Sequence, residues 1–396
     1  MQNDEDIALG RKYTNGQECF PLICTLGSFL KKLQEPGIDP KKVSFFMPDH
    51  NGPCRFGQYN RLQRIIFDNL GYSDVKIVHP SNEDSYASIA PGYSIRWRRA
   101  SWKGVVALDQ IRKMQEQIRP YELEKGKTDH IYNKYLKRII KSTEQGGKEI
   151  ITTLQKAASE FSQILVRQPG SKPVVAIVGE IFMRDNPFCS NYLVKRLEEL
   201  GAETLMAPFA EWVNYSTLRY IRDSRWKGNK TTLFKAKLQY FLQRTIEKRI
   251  VGSIANTFDL KSEVKVEEML DHCGEFIHRD YDGDPPLAIG TANILAGKQI
   301  SGVVNILPFT CLPGTINCAV SQGLRKKHNN LPWENFAWDG TENIGLDTRF
   351  EAFMYQVKEY AAKWKSKVEY KSLSAMENGY IMNNCSDRLK DKSIEL

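Results

Sequence analysis

Six of the chain's eight cysteines lie in loops rich in glycine and proline rather than in apolar runs. A cysteine with only a packing role is usually a small buried hydrophobic residue. A thiolate that binds metal needs backbone that can bend around the metal and N–H groups that offset its charge, and these loops can supply both. The six residues that we predict to be metal ligands are Cys19, Cys24, Cys54, Cys189, Cys311 and Cys318.

The spacing of these cysteines favours an iron–sulfur cluster over a single metal ion. Four residues separate Cys19 from Cys24, and six separate Cys311 from Cys318. Neither spacing is the CxxC of a zinc ribbon, and the chain has only six histidines, so tetrahedral zinc is disfavoured. A cubane is larger than a single ion and accepts looser spacing.

Three of the cysteines recur at one kind of position. Cys54, Cys189 and Cys311 each follow a predicted parallel strand and precede a predicted helix. Ligands of open α/β sheets bind at the carboxyl ends of the strands, and helix N-termini favour thiolates there. Of the other two cysteines, Cys273 follows a helical run and could replace Cys24 or Cys318 as a ligand, whereas Cys385 lies in a polar tail.

Two stretches of the sequence repeat a strand–helix–strand plan. In residues 43–80 and 174–208, a buried strand is followed by a loop with a cysteine, an amphipathic helix and a second strand. Each helix ends at Leu-Gly, where Gly71 and Gly201 suit a left-handed cap. This pattern predicts two βαβ units and a duplicated Rossmann-like fold. A third strand covers residues 302–309 and leads into another helix.

The fold class is therefore α/β, with two Rossmann-like domains whose parallel sheets are flanked by helices, plus helical additions. We expect a first domain over residues 1–165 with a helical insertion, and a second over 170–345. A C-terminal helix and polar tail occupy 346–396. The metal cluster is expected in the cleft between the two domains.

Composition limits the compartment and the partners. No apolar run approaches 18 residues, so no membrane span is predicted. The polar, acidic N-terminus does not fit a secretory signal, which predicts a cytoplasmic protein without structural disulfides. The net charge of +9 is scattered, and only residues 96–103 combine arginines with aromatic residues, so nucleic-acid binding is not expected.

Two polar residues directly after Cys54 could assist a cluster. Arg55 and Gln58 could donate hydrogen bonds to its sulfur and adjust its potential, or they could be ordinary surface at a helix N-terminus. The chain has no phosphate-binding motif, because the GKT at residues 126–128 has Tyr121 where a P-loop needs glycine. It also lacks a GxGxxG dinucleotide motif.

Four motifs resemble a known family: GRKYTNGQECFPLICTLG, FMPDHNGPCRFGQYNRLQRII, GEIFMRDNPFCSNYL and NILPFTCLPGT. The chain resembles proteins related to 2-hydroxyacyl-CoA dehydratases, in the activase-associated and double-cubane branch. The resemblance covers about residues 10–365. It implies two Rossmann-like domains with an iron–sulfur cluster between them, and a separate ATPase activator, with its own cluster, that delivers low-potential electrons.

The resemblance also implies a function and its alternatives. The preferred one is a reductase component with an [8Fe-9S] double cubane held by the six cysteines, passing electrons to a small-molecule substrate. The runner-up is a 2-hydroxyacyl-CoA dehydratase subunit with a single [4Fe-4S] cluster held by three cysteines. A third is a non-catalytic cluster carrier. Relatives are dimeric, which implies a homodimer, and the oxygen-sensitive chemistry implies an anaerobic cytoplasm.

Overall fold

The computed structural model describes residues 2–81, 94–258, 260, 264–296, 298, 300–341 and 345–377. It is an α/β structure in which helix predominates and the strands form two parallel sheets. The strands are β1 Ser44–Phe46, β2 Lys76–Val78, β3 Val174–Gly179, β4 Glu203–Met206, β5 Gly302–Pro308 and β6 Trp333–Trp338. The helices are α1 Asp4–Arg11, α2 Phe20–Leu33, α3 Tyr59–Asn69, α4 Ser94–Ile118, α5 Lys127–Glu144, α6 Ile150–Ser162, α7 Ile181–Asp185, α8 Leu193–Glu199, α9 Phe209–Trp226, α10 Lys230–Gly252, α11 Val266–Cys273, α12 Pro285–Leu295, α13 Leu312–Lys327 and α14 Leu346–Glu377.

Both predicted βαβ units are present. Strands β1 and β2 pair in parallel around α3, and β3 and β4 pair in parallel with α8 between them in the chain. The glycines that end these helices, Gly71 and Gly201, have φ of +81° and +98°, as the left-handed caps require. The larger sheet has the order β4-β3-β5-β6, which includes the predicted third strand. Assignment of either unit as a Rossmann-like domain stays a prediction.

The first unit differs from the predicted buried strand. β1 is only three residues long, and its Ser44 and Phe46 are exposed. Phe45, between them, stacks on Phe29 with ring centroids 4.2 Å apart and also contacts Phe67. Phe45 therefore faces helices α2 and α3, which cover one face of this small two-stranded sheet. Phe46, the next residue of the strand, lies on the other face.

The second unit has the fully buried sheet that its sequence predicts. All seven residues of β5 are buried, and β3 is buried after its first residue. Helices on both faces cover this sheet, which is typical of parallel sheets. Helix α14 packs Phe350, Phe353 and Val357 into the core on one face, and α12 packs against the other.

A separate helical core lies beside the sheets. Helices α4, α5 and α6 pack together around Ile111, Tyr135 and Phe161, and residues Ala210 and Ile250 of α9 and α10 join the same core. Helices from both predicted domains therefore share one apolar interior. Among the described residues, no helix is long and apolar enough to cross a membrane.

Candidate metal centre

Three of the predicted ligands occupy one kind of backbone position. Cys19 directly precedes α2, Cys311 directly precedes α13, and Cys54 directly precedes a 3-10 helix at Arg55–Gln58. Their backbone angles are nearly the same: φ/ψ of −60°/137°, −73°/132° and −68°/119° for Cys19, Cys54 and Cys311. Each thiol is thus carried by an extended N-cap residue at the start of a helical segment.

The local sequence explains two of these caps. Cys19 and Cys311 are each followed at the second position by a proline, in Cys-Phe-Pro and Cys-Leu-Pro. Proline is well tolerated in the first turn of a helix, because its missing N–H would not be bonded there anyway. At the second of these caps, the N–H of Gly314 donates to Cys311 Sγ at 3.5 Å.

The three cysteines line a single cavity of about 1000 Å³. It lies at the carboxyl ends of β1, β3 and β5, and its wall combines residues from both predicted domains. That is where parallel sheets usually bind ligands. Much of the wall is aromatic, contributed by Phe46, Phe56, Tyr59, Trp97, Trp102, Phe182, Phe209 and Trp212.

Burial keeps these cysteines protonated in the absence of metal. The pKa of the half-buried Cys54 is raised to about 11, mainly by burial and in smaller part by the nearby charges of Glu180 and Cys19. The pKa values of Cys19 and Cys311 are also raised, mainly by burial. The charge of each of the other two thiols contributes to the raised pKa of Cys311, which is consistent with three sulfurs facing one space.

Tyr59 was not among the predicted site residues, yet it lies against the first of these cysteines. Its side chain is 6 % exposed and lines the cavity. It forms a side-chain hydrogen bond with Cys19, and this bond lowers the pKa of Cys19 against the larger opposing effect of burial. Tyr59 is the first residue of α3, so its position is set by the same short helical segment that follows Cys54.

Arg55 connects the three cysteine loops. Its guanidinium donates to the carbonyl oxygen of Gln17 at 2.7 Å, and to both the carbonyl and the hydroxyl oxygen of Thr310 at 2.8 Å. Gln17 is two residues before Cys19, and Thr310 directly precedes Cys311. Arg55 therefore holds the loops around the candidate centre together. Its side chain also hydrogen-bonds Cys19 and lowers the pKa of that thiol, while donation to cluster sulfur stays a prediction.

Gln58, predicted with Arg55, takes a different place. It is exposed and accepts a hydrogen bond from Arg61 at 3.4 Å. Of the two polar residues predicted to assist the cluster, Arg55 is the one whose contacts join the cysteine loops.

The structure separates Cys24 and Cys189 from the cavity cysteines. Both side chains are fully buried, and their sulfurs are 3.7 Å apart. They belong to the apolar core that also contains Phe20 and Met183. Cys189 was predicted to follow the strand β3 directly, but the short helix α7 intervenes and carries the chain into the core first.

The remaining cysteines lie in other surroundings. Cys318 is half-buried on α13, and its sulfur lies 3.8 Å from the side-chain nitrogen of Asn305. Cys273 is fully buried, and its thiol donates to the carbonyl oxygen of Leu270 at 3.2 Å. Cys385 lies outside the described residues. Ligation by all six predicted cysteines stays a prediction, and three of them share the cavity wall.

Glu180 occupies the position that the sequence assigned to Cys189. It directly follows β3, lines the cavity, and caps α7 by accepting the N–H groups of Phe182 and Met183 at 3.1 and 2.8 Å. Burial raises the pKa of Glu180 to about 7, against the lowering effect of these two hydrogen bonds. A polar residue immediately after a buried strand is the sequence signal for such a position.

The chemistry of the cavity cysteines is that of cluster ligands, because thiolates are the usual ligands of iron–sulfur clusters and each of these three thiols is carried by a helix N-cap. Within the described part of the chain, no three histidine, cysteine, aspartate or glutamate side chains are grouped closely enough to hold one metal ion. Ligation of a cluster by these cysteines stays a prediction.

Comparison with known proteins identifies no relative. No protein-family model, curated protein or solved structure shows significant similarity to the chain.

Proposed function

We propose that this protein is a low-potential iron–sulfur reductase component that acts on a small-molecule substrate in the cavity. The resemblance implies that its electrons come from an ATP-hydrolysing activator, which we place on a separate chain because this sequence has no phosphate-binding motif. The observation that carries the proposal is the placement of Cys19, Cys54 and Cys311 at three helix N-caps around one cavity.

Cys19, Cys54 and Cys311 would hold one [4Fe-4S] cluster. Such a cluster, when bound by three cysteines, supplies one-electron reduction and keeps one iron without a protein ligand. The N–H groups at the helix N-termini would offset part of its negative charge, as the Gly314 N–H already does for Cys311. The arginine bridge from Arg55 to Gln17 and Thr310 would keep the three ligand loops in register.

The cavity wall suits chemistry at low potential. Its aromatic side chains lower the local dielectric around the cysteines, and a low dielectric favours the less charged state of a redox group. The same cavity wall includes three cationic residues, Arg98, Arg99 and Lys235. They could attract the anionic part of a substrate whose apolar part enters the cavity. The basic, aromatic segment 96–103, for which the sequence offered no nucleic-acid function, would then be part of the substrate entrance.

A single cubane is preferred here to the double cubane. A second cubane would need three more thiols on one side of the first, but Cys24 and Cys189 contact each other in the core. Cys318 lies next to Asn305 on the buried β5. The three additional sulfurs therefore do not share a space in the way that the cavity cysteines do.

A 2-hydroxyacyl-CoA dehydratase subunit is the second candidate. The cavity volume of about 1000 Å³ is at the upper end of the range for small-molecule sites, so it could admit a large acyl thioester. The cationic residues on its wall, Arg98, Arg99 and Lys235, would suit the phosphates of such a substrate. Both candidates use the same three cysteines, and they differ in whether the substrate gains electrons in the net reaction.

Iron and acid-labile sulfide per chain, measured on anaerobically purified protein, test the proposal. We expect about four irons and an EPR signal after reduction. About eight irons would favour the six-cysteine double cubane, and absence of iron would overturn the metal centre. ATP-dependent reduction by an added activator then separates an electron-transfer component from a cluster carrier, because a carrier loses its cluster to acceptors without ATP.

A further inference from the structure

Cys24 and Cys189 form a buried pair of thiols for which the cavity chemistry has no use. Their sulfurs are 3.7 Å apart, and neither side chain is exposed to solvent. Cys24 lies on α2, and Cys189 lies in the connection between α7 and α8, 165 residues further along the chain. The fold thus brings two distant segments together through two sulfurs in contact.

The contact is unusual among the described cysteines. Cys273 is equally buried, but its thiol donates to a backbone carbonyl within its own helix. Cys318 contacts an asparagine side chain. Among the cysteines that the structure describes, Cys24 and Cys189 are the pair in which one thiol donates a hydrogen bond to another. Two sulfurs at this distance need to approach by about 1.7 Å to reach disulfide length.

We propose that Cys24 and Cys189 are a redox-modification site, which closes to an intramolecular disulfide when the protein meets a peroxide. This inference does not depend on the proposed function, because it concerns sulfurs outside the cavity. Apolar side chains, including Phe20 and Met183, pack around the pair.

The chemistry balances with hydrogen peroxide as the oxidant. One cysteine sulfur attacks the peroxide, the O–O bond breaks, and a sulfenic acid forms with release of water. The second sulfur then attacks the sulfenic sulfur, the S–S bond forms, and a second water leaves. Overall, two thiols lose two electrons and two protons, and one peroxide becomes two waters.

Because the pKa of Cys24 is raised, its thiol is mostly protonated, and we expect the pair to react slowly with peroxide in the folded protein. Its hydrogen bond with Cys189 is the largest cause of this raised pKa, and burial is the next. Since the thiolate is the reactive form, we expect oxidation to proceed through transient opening of the core rather than instantly. Once formed, the disulfide would join the helix that begins at Cys19 to the segment that follows the Glu180 loop.

The test uses full-length protein treated with hydrogen peroxide over a time course, quenched, denatured and alkylated. Peptide mass spectrometry should find the peptides of Cys24 and Cys189 linked, with an intact-mass loss of two hydrogens that dithiothreitol reverses. The Cys24→Ser variant should lose this link. The Cys273→Ser variant, in which an equally buried thiol is removed, should keep it.

Two further measurements test whether the Cys24 variants lose the link for another reason, namely unfolding or loss of a metal ligand. Thermal unfolding of Cys24→Ser and Cys24→Ala establishes whether each variant is folded, and at least one folded variant is needed for the comparison. Iron per chain in the same variant should be unchanged from the unmodified protein. A fall in iron to near zero would instead make Cys24 a ligand and overturn the proposal.

The proposal is also overturned if Cys24 and Cys189 are still fully alkylated after the cavity cysteines have been oxidised, or if the link joins one of them to Cys19, Cys54 or Cys311. Failure of the proposed function looks different. Protein that binds no iron but forms the reversible link would support the redox pair while contradicting the metal centre.

Discussion

Arg55 holds Thr310 in a left-handed backbone conformation by donating to its carbonyl and hydroxyl oxygens, each at 2.8 Å. The φ angle of Thr310 is +62°. A β-branched residue rarely adopts this region, because its side chain crowds the backbone there. The strain is maintained one residue before Cys311, so Arg55 fixes the direction in which this cysteine enters the cavity.

Replacing this arginine should loosen the centre. In Arg55→Lys the charge is retained, but a single ammonium group cannot reproduce the forked contacts with Gln17 and Thr310. We expect a loss of about 1–2 kcal/mol in the stability of the loop arrangement and a cluster that is lost faster during anaerobic gel filtration. The measurement is iron per chain before and after filtration.

Arg61→Lys is the matched control for that experiment. Arg61 is an exposed arginine six residues away, and its recorded contact is with Gln58. It should retain iron as the unmodified protein does. Equal iron retention in the two variants would contradict the bridging role of Arg55.

Single substitutions should distinguish the cysteines that bind iron from those that do not. We expect Cys19→Ser, Cys54→Ser and Cys311→Ser each to reduce bound iron from about four per chain to below one, because each removes one of three thiolates. Cys318→Ser and Cys273→Ser should leave the iron content unchanged. Iron loss in Cys318→Ser, with unchanged thermal unfolding, would instead support the larger ligand set.

The sequence was sufficient to predict the βαβ units and the cysteines at the cavity, but it could not separate the two groups of thiols. Cys19 and Cys24 are five positions apart, and at 3.6 residues per turn this places Cys24 about 140° around α2 from its N-cap. Cys318 lies about 10 Å along α13 from Cys311. These two positions can be worked out only when the start of each helix is known. The repeated Cys-x-Pro pattern does not by itself show that the cysteine is the N-cap.

The position of Cys189 could not be predicted from the sequence, for a different reason. Nine residues separate Gly179, at the end of β3, from Cys189, and they contain enough polar character to be interpreted as a loop. In the structure, five of these residues form α7, whose first turn is capped by Glu180. A helix this short has too few residues for apolar periodicity to reveal it.

Glu180 should make the stability of the metal-free protein depend on pH. Its pKa is about 7 in the folded protein, raised from an ordinary 4.5 by burial. The folded state therefore holds this proton more tightly, and the resulting stabilisation is fully present below pH 4.5 and is lost as the pH rises through 7. Glu180→Gln removes the ionisation. The variant should gain stability relative to the unmodified protein as the pH rises.

Because Glu180 is half-buried, water in the cavity screens part of this effect, and we expect a relative gain of roughly 1–2 kcal/mol at pH 8. Thermal unfolding of both proteins at pH 5 and pH 8 measures it. Glu5→Gln, at an exposed carboxylate whose pKa is lowered by Lys31, should show no such gain. The same stability difference at both pH values for Glu180→Gln would show that the carboxyl is not destabilised by ionisation.

Gly179, the last residue of β3, should be essential for the position of Glu180. Its φ is +108°, and a Cβ atom built there would lie 2.2 Å from the carbonyl oxygen of Ile306 on the neighbouring strand. Because that neighbour is backbone in a fully buried strand, it cannot move aside easily. Gly179→Ala should therefore push β3 away from β5 and displace Glu180 from the cavity wall.

We expect Gly179→Ala to destabilise the protein by at least about 3 kcal/mol, since a steric clash adds to the cost of an unfavourable φ. Gly37→Ala is the control, because Gly37 has a φ of +81° but nothing within 4 Å of the added methyl group. That variant has only the conformational strain, about 1–2 kcal/mol. Thermal unfolding of the two metal-free variants compares them, and equal midpoints would show that the contact between Gly179 and Ile306 has room for a side chain.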